Sequence, residues 1–151
     1  MKGDVLPEHG RVSHVVYCVR PEHFDEAVHF WTDGLGVTFE RIDIQGSGLR
    51  IEFAEAAGIE VIAPTDDEAG QRSLAQEFLD GNGEGVLGVV YRVPDLDGSV
   101  SAVGDRGVEV RRRASFTGRA PWSERYEALE EAHLTPLHGM RITLGRIDYK
   151  E

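Results

Sequence analysis

Seven polar side chains, His14, Arg50, Glu52, Glu60, Arg92, Arg141 and Thr143, carry the chemical interest of this chain, because each interrupts a run of apolar or β-branched residues. In an extended segment successive side chains point to opposite faces, so each run sorts into an apolar side and a side that bears the polar group. In His14-Val15-Val16-Tyr17-Cys18-Val19, the residues Val15, Tyr17 and Val19 share one face and His14, Val16 and Cys18 the other. In Leu49-Arg50-Ile51-Glu52-Phe53 the expected apolar face is Leu49, Ile51 and Phe53, leaving Arg50 and Glu52 on the side of His14. By the same alternation Glu60 lies opposite Ile59 and Val61, and Arg141 and Thr143 lie opposite Ile142 and Leu144.

A histidine beside Glu60 or Glu52 is a general acid/base pair, since imidazole titrates near neutral pH and a carboxylate orients it. Arg50 and Arg141 would then clamp a carboxylate, enolate or phenolate oxygen. His14, Glu52 and Glu60 are therefore the expected catalytic residues, and Arg50, Arg92, Arg141 and Thr143 the expected substrate contacts. Two alternatives stay open: His14 as a hydrogen-bonded structural residue, and the whole polar set as one solvated sheet face. Cys18, the only cysteine, reads as a packing residue. It excludes an internal disulfide and a multi-cysteine zinc site, which suits a reducing cytoplasm.

The elements that must position these residues follow from periodicity. Residues 13–19 read as a strand. From Glu22 to Asp33 the apolar residues Phe24, Ala27, Val28 and Trp31 fall at i, i+3, i+4 and i+7, with Gly34 and Gly36 as stop signals, which predicts an amphipathic helix. Three short segments, VTFERIDI, LRIEFAEA and GIEVIAP, are separated by glycine-containing turns and predict a meander. Residues 1–64 thus spell a βαβββ module. The run VVYCV at 15–19 recurs as VVYRV at 89–93, again followed by proline, acidic residues and a helical stripe of Leu96, Val100 and Val103. A second module therefore spans 86–151, after a linker at 65–85 that holds a short helix around Ser73–Asp80. Residues 111–138 look like an insertion, with Trp122, Tyr126 and Leu129 spaced for a helix that is either a lid or a packing element. The expected fold is α+β: two βαβββ modules in tandem, forming a half-open curved sheet with a central cavity.

Composition narrows the function classes. Sixteen Lys and Arg against twenty-seven Asp and Glu give a net charge of −11, which opposes nucleic-acid binding. No apolar run has the length of a membrane span, and no signal peptide is legible, so a cytoplasmic protein with a small-molecule partner is expected. The sequence GNGEG lacks the features of a phosphate loop.

The stretches SHVVYCV, AVHFWTDGLGV, IEVIAP, GEGVLGVVYRVPDLD with DRGVEV, and HGMRITL together resemble the vicinal oxygen chelate superfamily, which includes glyoxalase I, extradiol dioxygenases and the bleomycin-resistance proteins. They look most like its methylmalonyl-CoA epimerase branch. The resemblance covers almost the whole chain and implies the paired-module fold, a homodimer and, in the enzymes, a divalent metal (Zn, Co, Mn, Fe or Ni) held by four side chains. His14 and Glu60 match the first two ligand positions. The other two positions are Gly88 and Thr143, so the family's metal site is only partly retained. Glu52, His133 or His138, or the His14 and Glu60 of a second chain, would be the available substitutes. The function that this implies is a small-molecule lyase or isomerase, glyoxalase-like or epimerase-like, acting by proton transfer next to a carbonyl in the inter-module cavity. The alternative is a non-catalytic ligand-binding or sequestering protein of the bleomycin-resistance type.

Overall fold

A computed structural model describes residues 5–119 and 121–151. The chain forms two compact units, one of His14–Gly88 and one of the residues up to Ser13 together with Val89–Glu151.

In the first unit the strand order is β2 (Glu40–Ile42), β3 (Leu49–Ala54), β4 (Ile59–Pro64), β1 (Arg11–Cys18). β1 runs parallel to β4, and β2, β3 and β4 form the antiparallel meander anticipated from the turns. Pro21 opens a single 3-10 turn over Pro21–His23, which leads into α1 (Phe24–His29) and then a π-helical turn over Phe30–Gly34. The helix is one continuous path with three hydrogen-bond patterns, and the expected stripe survives in it. Phe24, Ala27, Val28 and Trp31 all pack against Ile59, Val61 and Ala63 of β4. Gly36 closes the helix at φ 71°, with its N–H donating to the Thr32 carbonyl.

Residues 65–85 carry two helices, α2 (Glu68–Gln71) and α3 (Leu74–Asn82). Ser73 caps α3 by accepting from the Gln76 N–H at 3.2 Å while its own hydroxyl donates to the Gly70 carbonyl at 2.7 Å. Ala75, Phe78 and Leu79 of α3 are buried, so this segment belongs to the body of the first unit. Its end is fastened to the start of α1: Glu84 accepts from the Arg20 backbone N–H at 2.9 Å and pairs with His23 Nδ1 at 2.7 Å.

The second unit repeats the plan. Its strand order is β5 (Gly85–Arg92), β8 (Ile142–Tyr149), β7 (Tyr126–Leu134), β6 (Val110–Ser115), with β5 parallel to β8 and the other pairs antiparallel. α4 (Leu96–Gly104) is capped by Asp95, which accepts from the Gly98 N–H at 3.1 Å. Leu96, Val100 and Val103 meet Ala132, Leu134, Leu144 and Tyr91 in one core. The segment ahead of β1 joins this unit. The Tyr91 hydroxyl donates to the His9 carbonyl at 3.2 Å, and Gly10, at φ 84°, lies so close that a Cβ there would overlap the Arg92 carbonyl oxygen.

Residues 111–138 differ from expectation. Their described residues hold one 3-10 turn at Trp122–Glu124 in place of the expected helix, and otherwise form a long β-hairpin built from β6 and β7. A register shift between Tyr126 and Ala128 breaks the period-two pattern of β7, which is why its apolar residues imitate helical spacing. Trp122 and Tyr126 still pack together with Leu129, Ile147 and Phe116, now as a satellite core. The final strand begins later than its sequence suggests, because His138 and Gly139, at φ 48° and 81°, form the turn that joins β7 to β8.

Phe24→Ala should destabilise the protein by about 3–5 kcal/mol, measured by denaturant unfolding, since Phe24 is 3% exposed at the centre of the first core. The His23–Glu84 pair gives a pH signature. Its hydrogen bond and charge raise the His23 pKa and, with the Arg20 N–H, lower that of Glu84. The histidine's contribution is full below the ordinary imidazole value and vanishes as pH rises through the raised one; the carboxylate's is full above the ordinary carboxylate value and vanishes as pH falls through the lowered one. His23→Gln should therefore lower the melting temperature at about pH 5.5 and leave it unchanged at about pH 8.5.

Candidate functional site

Strand pairing fixes which side chains share a face with His14. In β1, Val15 and Tyr17 pair with Ile59 and Val61, which contact α1, so His14, Val16 and Cys18 lie on the opposite face, away from α1. Glu60 pairs with Val16 and joins them there. Phe53 pairs with Glu60, Ile51 with Ile62, and Glu40 with Phe53, which extends the same face across β3 and β2.

Arg50 and Glu52 are on the other side, contrary to the expected register. Arg50 pairs with Ala63 and Glu52 with Val61, both in the core under α1. The Arg50 guanidinium stacks 4.2 Å over the Phe24 ring and pairs with Asp25 of α1 at 3.2 Å. Burial raises the Glu52 pKa, against the opposing pull of Arg41 and Arg50. Both are structural partners of the helix and neither shares the His14 face. The alternation in LRIEFAEA was read one residue out of phase, because half-apolar Leu-Arg-Ile-Glu-Phe satisfies a period of two either way and only the pairing with β4 decides.

On this face His14 is 7% exposed, and its Nε2 lies 3.9 Å from Glu60 Oε1. The Phe53 ring meets the imidazole edge-on, with centroids 4.8 Å apart at 61°. Val16, Ile42 and Ile51 on the same face are buried. The arrangement sets a buried imidazole near a carboxylate, the pair of groups that general acid/base chemistry uses. Phe53 and Glu40 are the members of this face that the sequence reading missed; both depended on the register of β2 and β3.

The Cys18 end of the same face is closed by α3. Cys18 is fully buried and its thiol points to the Ala75 carbonyl at 3.7 Å. Burial, helped by the charge of Glu84, pushes its pKa up to about 12. It packs and does not react, as expected from the sequence.

In the second unit the corresponding helix-free face carries Arg92 and Thr143. Arg92 is 8% exposed, with its guanidinium 5.2 Å from the Tyr149 ring. Thr143 pairs with His133, and its hydroxyl lies 3.2 Å from His133 Nδ1. Arg141 immediately precedes β8, and its carbonyl accepts from the Val89 N–H. His138 sits in the β7–β8 turn.

A four-donor metal centre does not fit these residues. Gly88 has no donor atom, and the Thr143 hydroxyl is engaged with His133. Among the described residues no group of three or more His, Cys, Asp and Glu is gathered as ligands. His14 and Glu60 supply two donors, fewer than the three or four protein ligands usual for such centres.

Residues 13–126 match the family of the glyoxalase/bleomycin resistance protein/dioxygenase superfamily, and the chain belongs to it. No curated protein matches. Among solved structures, methylmalonyl-CoA epimerase from Mycobacterium tuberculosis is similar at 22% identity, covering 95% of this chain and 93% of that one, with a TM-score of 0.67. A Streptomyces coelicolor methylmalonyl-CoA epimerase variant in complex with 2-nitronate-propionyl-CoA is similar at 20% identity, covering 91% and 97%, with a TM-score of 0.69. A variant of 4-hydroxymandelate synthase from the same organism covers 99% of this chain and 52% of its own length, at 17% identity and a TM-score of 0.68. At these identities the likeness is one of fold.

The folded protein should resist thiol-specific reagents at about pH 8 and react only at the rate of unfolding, because the Cys18 thiol stays protonated and covered. Fast, stoichiometric labelling without denaturant would contradict the placement of α3 over β1.

Proposed function

We propose that this member of the superfamily is a small-molecule isomerase or lyase that moves a proton next to a carbonyl, with His14 as the proton-transfer group and Glu60 as its orienting carboxylate. The observation that carries the reading is the buried His14 beside Glu60, edge-on to Phe53. A buried histidine beside a carboxylate is an arrangement that catalytic sites use to move protons.

The chemistry needs no redox partner. The imidazole accepts the proton from the carbon adjacent to a carbonyl, and the electron pair of the broken C–H bond moves to the carbonyl oxygen as an enolate. Glu60 stabilises the imidazolium so formed. Return of the proton from the imidazolium to the same carbon inverts its configuration when the planar enolate has turned its other face to His14; return to a neighbouring atom moves the double bond. Expulsion of a β-substituent from the enolate gives the lyase outcome. The family's epimerase neighbours support this class of reaction through the shared fold.

A second reading, ligand binding without turnover, is favoured by one observation: the position expected to hold a third metal donor is Gly88. The two are separated by proton exchange. In deuterium oxide, a panel of 2-oxo acids, β-keto esters and acyl thioesters should include at least one compound whose α-proton signal disappears on incubation with the protein. His14→Gln should slow that exchange by about 10²–10⁴-fold, and Glu60→Gln by less. Exchange that His14→Gln leaves unchanged would falsify the assignment, and saturable binding without exchange across the panel would establish the sequestering role.

A further inference from the structure

The sheet of the second unit ends in an open strand edge. β6 stands last in the strand order, and among the described residues its one strand partner is β7. Which of its backbone groups face outward follows from the ladder. The Phe116 N–H donates to the Leu129 carbonyl at 2.7 Å, one step beyond the Ser115–Glu130 pair in the same register. Hydrogen-bonded pairs alternate with non-bonded ones in an antiparallel ladder, so Phe116, Ala114 and Arg112 turn their N–H and C=O groups to β7. Arg113 and Ser115 turn theirs to the open side. Among the described residues neither of these two N–H groups has a hydrogen-bond partner.

The side chains along this edge are cationic. Arg111, Arg112, Arg113 and Ser115 are exposed. Arg113 pairs with Ala132 of the core under α4, and its guanidinium reaches Asp97 of that helix; Arg112 pairs with His133 and lies on the other face. Guanidinium groups therefore flank the edge on both sides of the sheet. The neighbouring carboxylates of β7 are already engaged, Glu130 by Arg146 and Glu131 by His133. Residues 111–151 carry eight Lys and Arg against six Asp and Glu, whereas residues 1–110 carry eight against twenty-one. On an acidic chain this edge is the part that draws anions. An uncovered edge is a template for pairing with another strand, and charge decides which strands it accepts. Two β6 edges side by side would set one arginine run against the other, which opposes pairing with a second copy.

We infer that the β6 edge binds an extended acidic segment of a partner protein, which adds to the sheet as a further strand. In strand addition the main-chain hydrogen bonds supply affinity and the alternating side chains supply specificity. Here the bonds are those of Arg113 and Ser115. A partner residue opposite Arg113 projects toward α4 and one opposite Arg112 toward the other face, so two adjacent carboxylates each meet a guanidinium. Consecutive acidic residues flanked by β-branched ones are the sequence chemistry that fits. The edge consists of residues of the second unit alone and does not depend on the reading of His14.

The test is titration of the full-length protein with a capped peptide, Thr-Val-Glu-Glu-Val-Thr, while amide hydrogen exchange is followed residue by residue by NMR. Saturating peptide should slow exchange at Arg113 and Ser115 about tenfold or more and change Ala114 and Phe116 little, since those N–H groups already face β7. The same peptide with Gln for Glu, and one N-methylated throughout, should each bind about tenfold or more weakly. Ser115→Pro removes an outward N–H that β7 does not use, a change edge strands accept, and should weaken binding as strongly; Arg112→Gln and Arg113→Gln should weaken it too. Thermal unfolding checks each variant, and if Ser115→Pro is not folded the N-methylated peptide decides. No saturation up to about 1 mM, or equal affinity for the Gln or the N-methylated peptide, would overturn the inference. Protection of the two amides by a single-stranded oligonucleotide and not by the peptide would give the edge to nucleic acid instead. Protection that grows with protein concentration alone would give it to a second copy, and either result overturns the acidic partner.

Discussion

Register between β3 and β4 is the constraint on which the candidate site depends. Phe53 opposite Glu60, and Glu52 opposite Val61, place an aromatic edge on His14 and send two charged side chains to the helix. A slip of one residue would exchange every member of the two sets, since strand side chains alternate. The register is held by what lies on each side. Ile51 is buried on the His14 face, while Arg50 is fixed on the other by the Phe24 ring and the Asp25 carboxylate. The long aliphatic stem of an arginine can cover apolar surface while its head reaches water, so a charge on a core-facing position is no contradiction.

That property also explains where sequence reasoning reached its limit. The paired βαβββ plan was legible because VVYCV and VVYRV repeat and because Phe24, Ala27, Val28 and Trp31 carry an unambiguous helical period. His14 and Glu60 were placed together because the apolar residues of β1 and β4 leave one choice of face. In β3 both faces are half apolar, and Arg50, expected on the His14 face as a substrate contact, in fact packs on α1. In β7 a bulge at Tyr126 disrupts the period of two, and a hairpin was mistaken for a helix.

The two units solve one problem with different residues. Each leaves a sheet face free of its own α-helix between β1 and β2 or β5 and β6. In the first, that face carries the histidine–carboxylate pair together with the buried side chains of Val16, Ile42 and Ile51. In the second, it carries Arg92, Thr143 and His133 together with the apolar side chains of Val90, Ile147 and Leu129.

The residues ahead of β1 pack with the half of the chain that is made last. His9 and Gly10 are held against Tyr91 and Arg92, and the unit to which they belong is otherwise complete only at Glu151. During synthesis these residues precede their partners by the whole of His14–Gly88 and must wait while that stretch is translated. The first unit is in effect an insertion into the second. Cotranslational folding of this protein is therefore asymmetric: one half can close as soon as it emerges, and the other must recover a segment that was delivered at the outset.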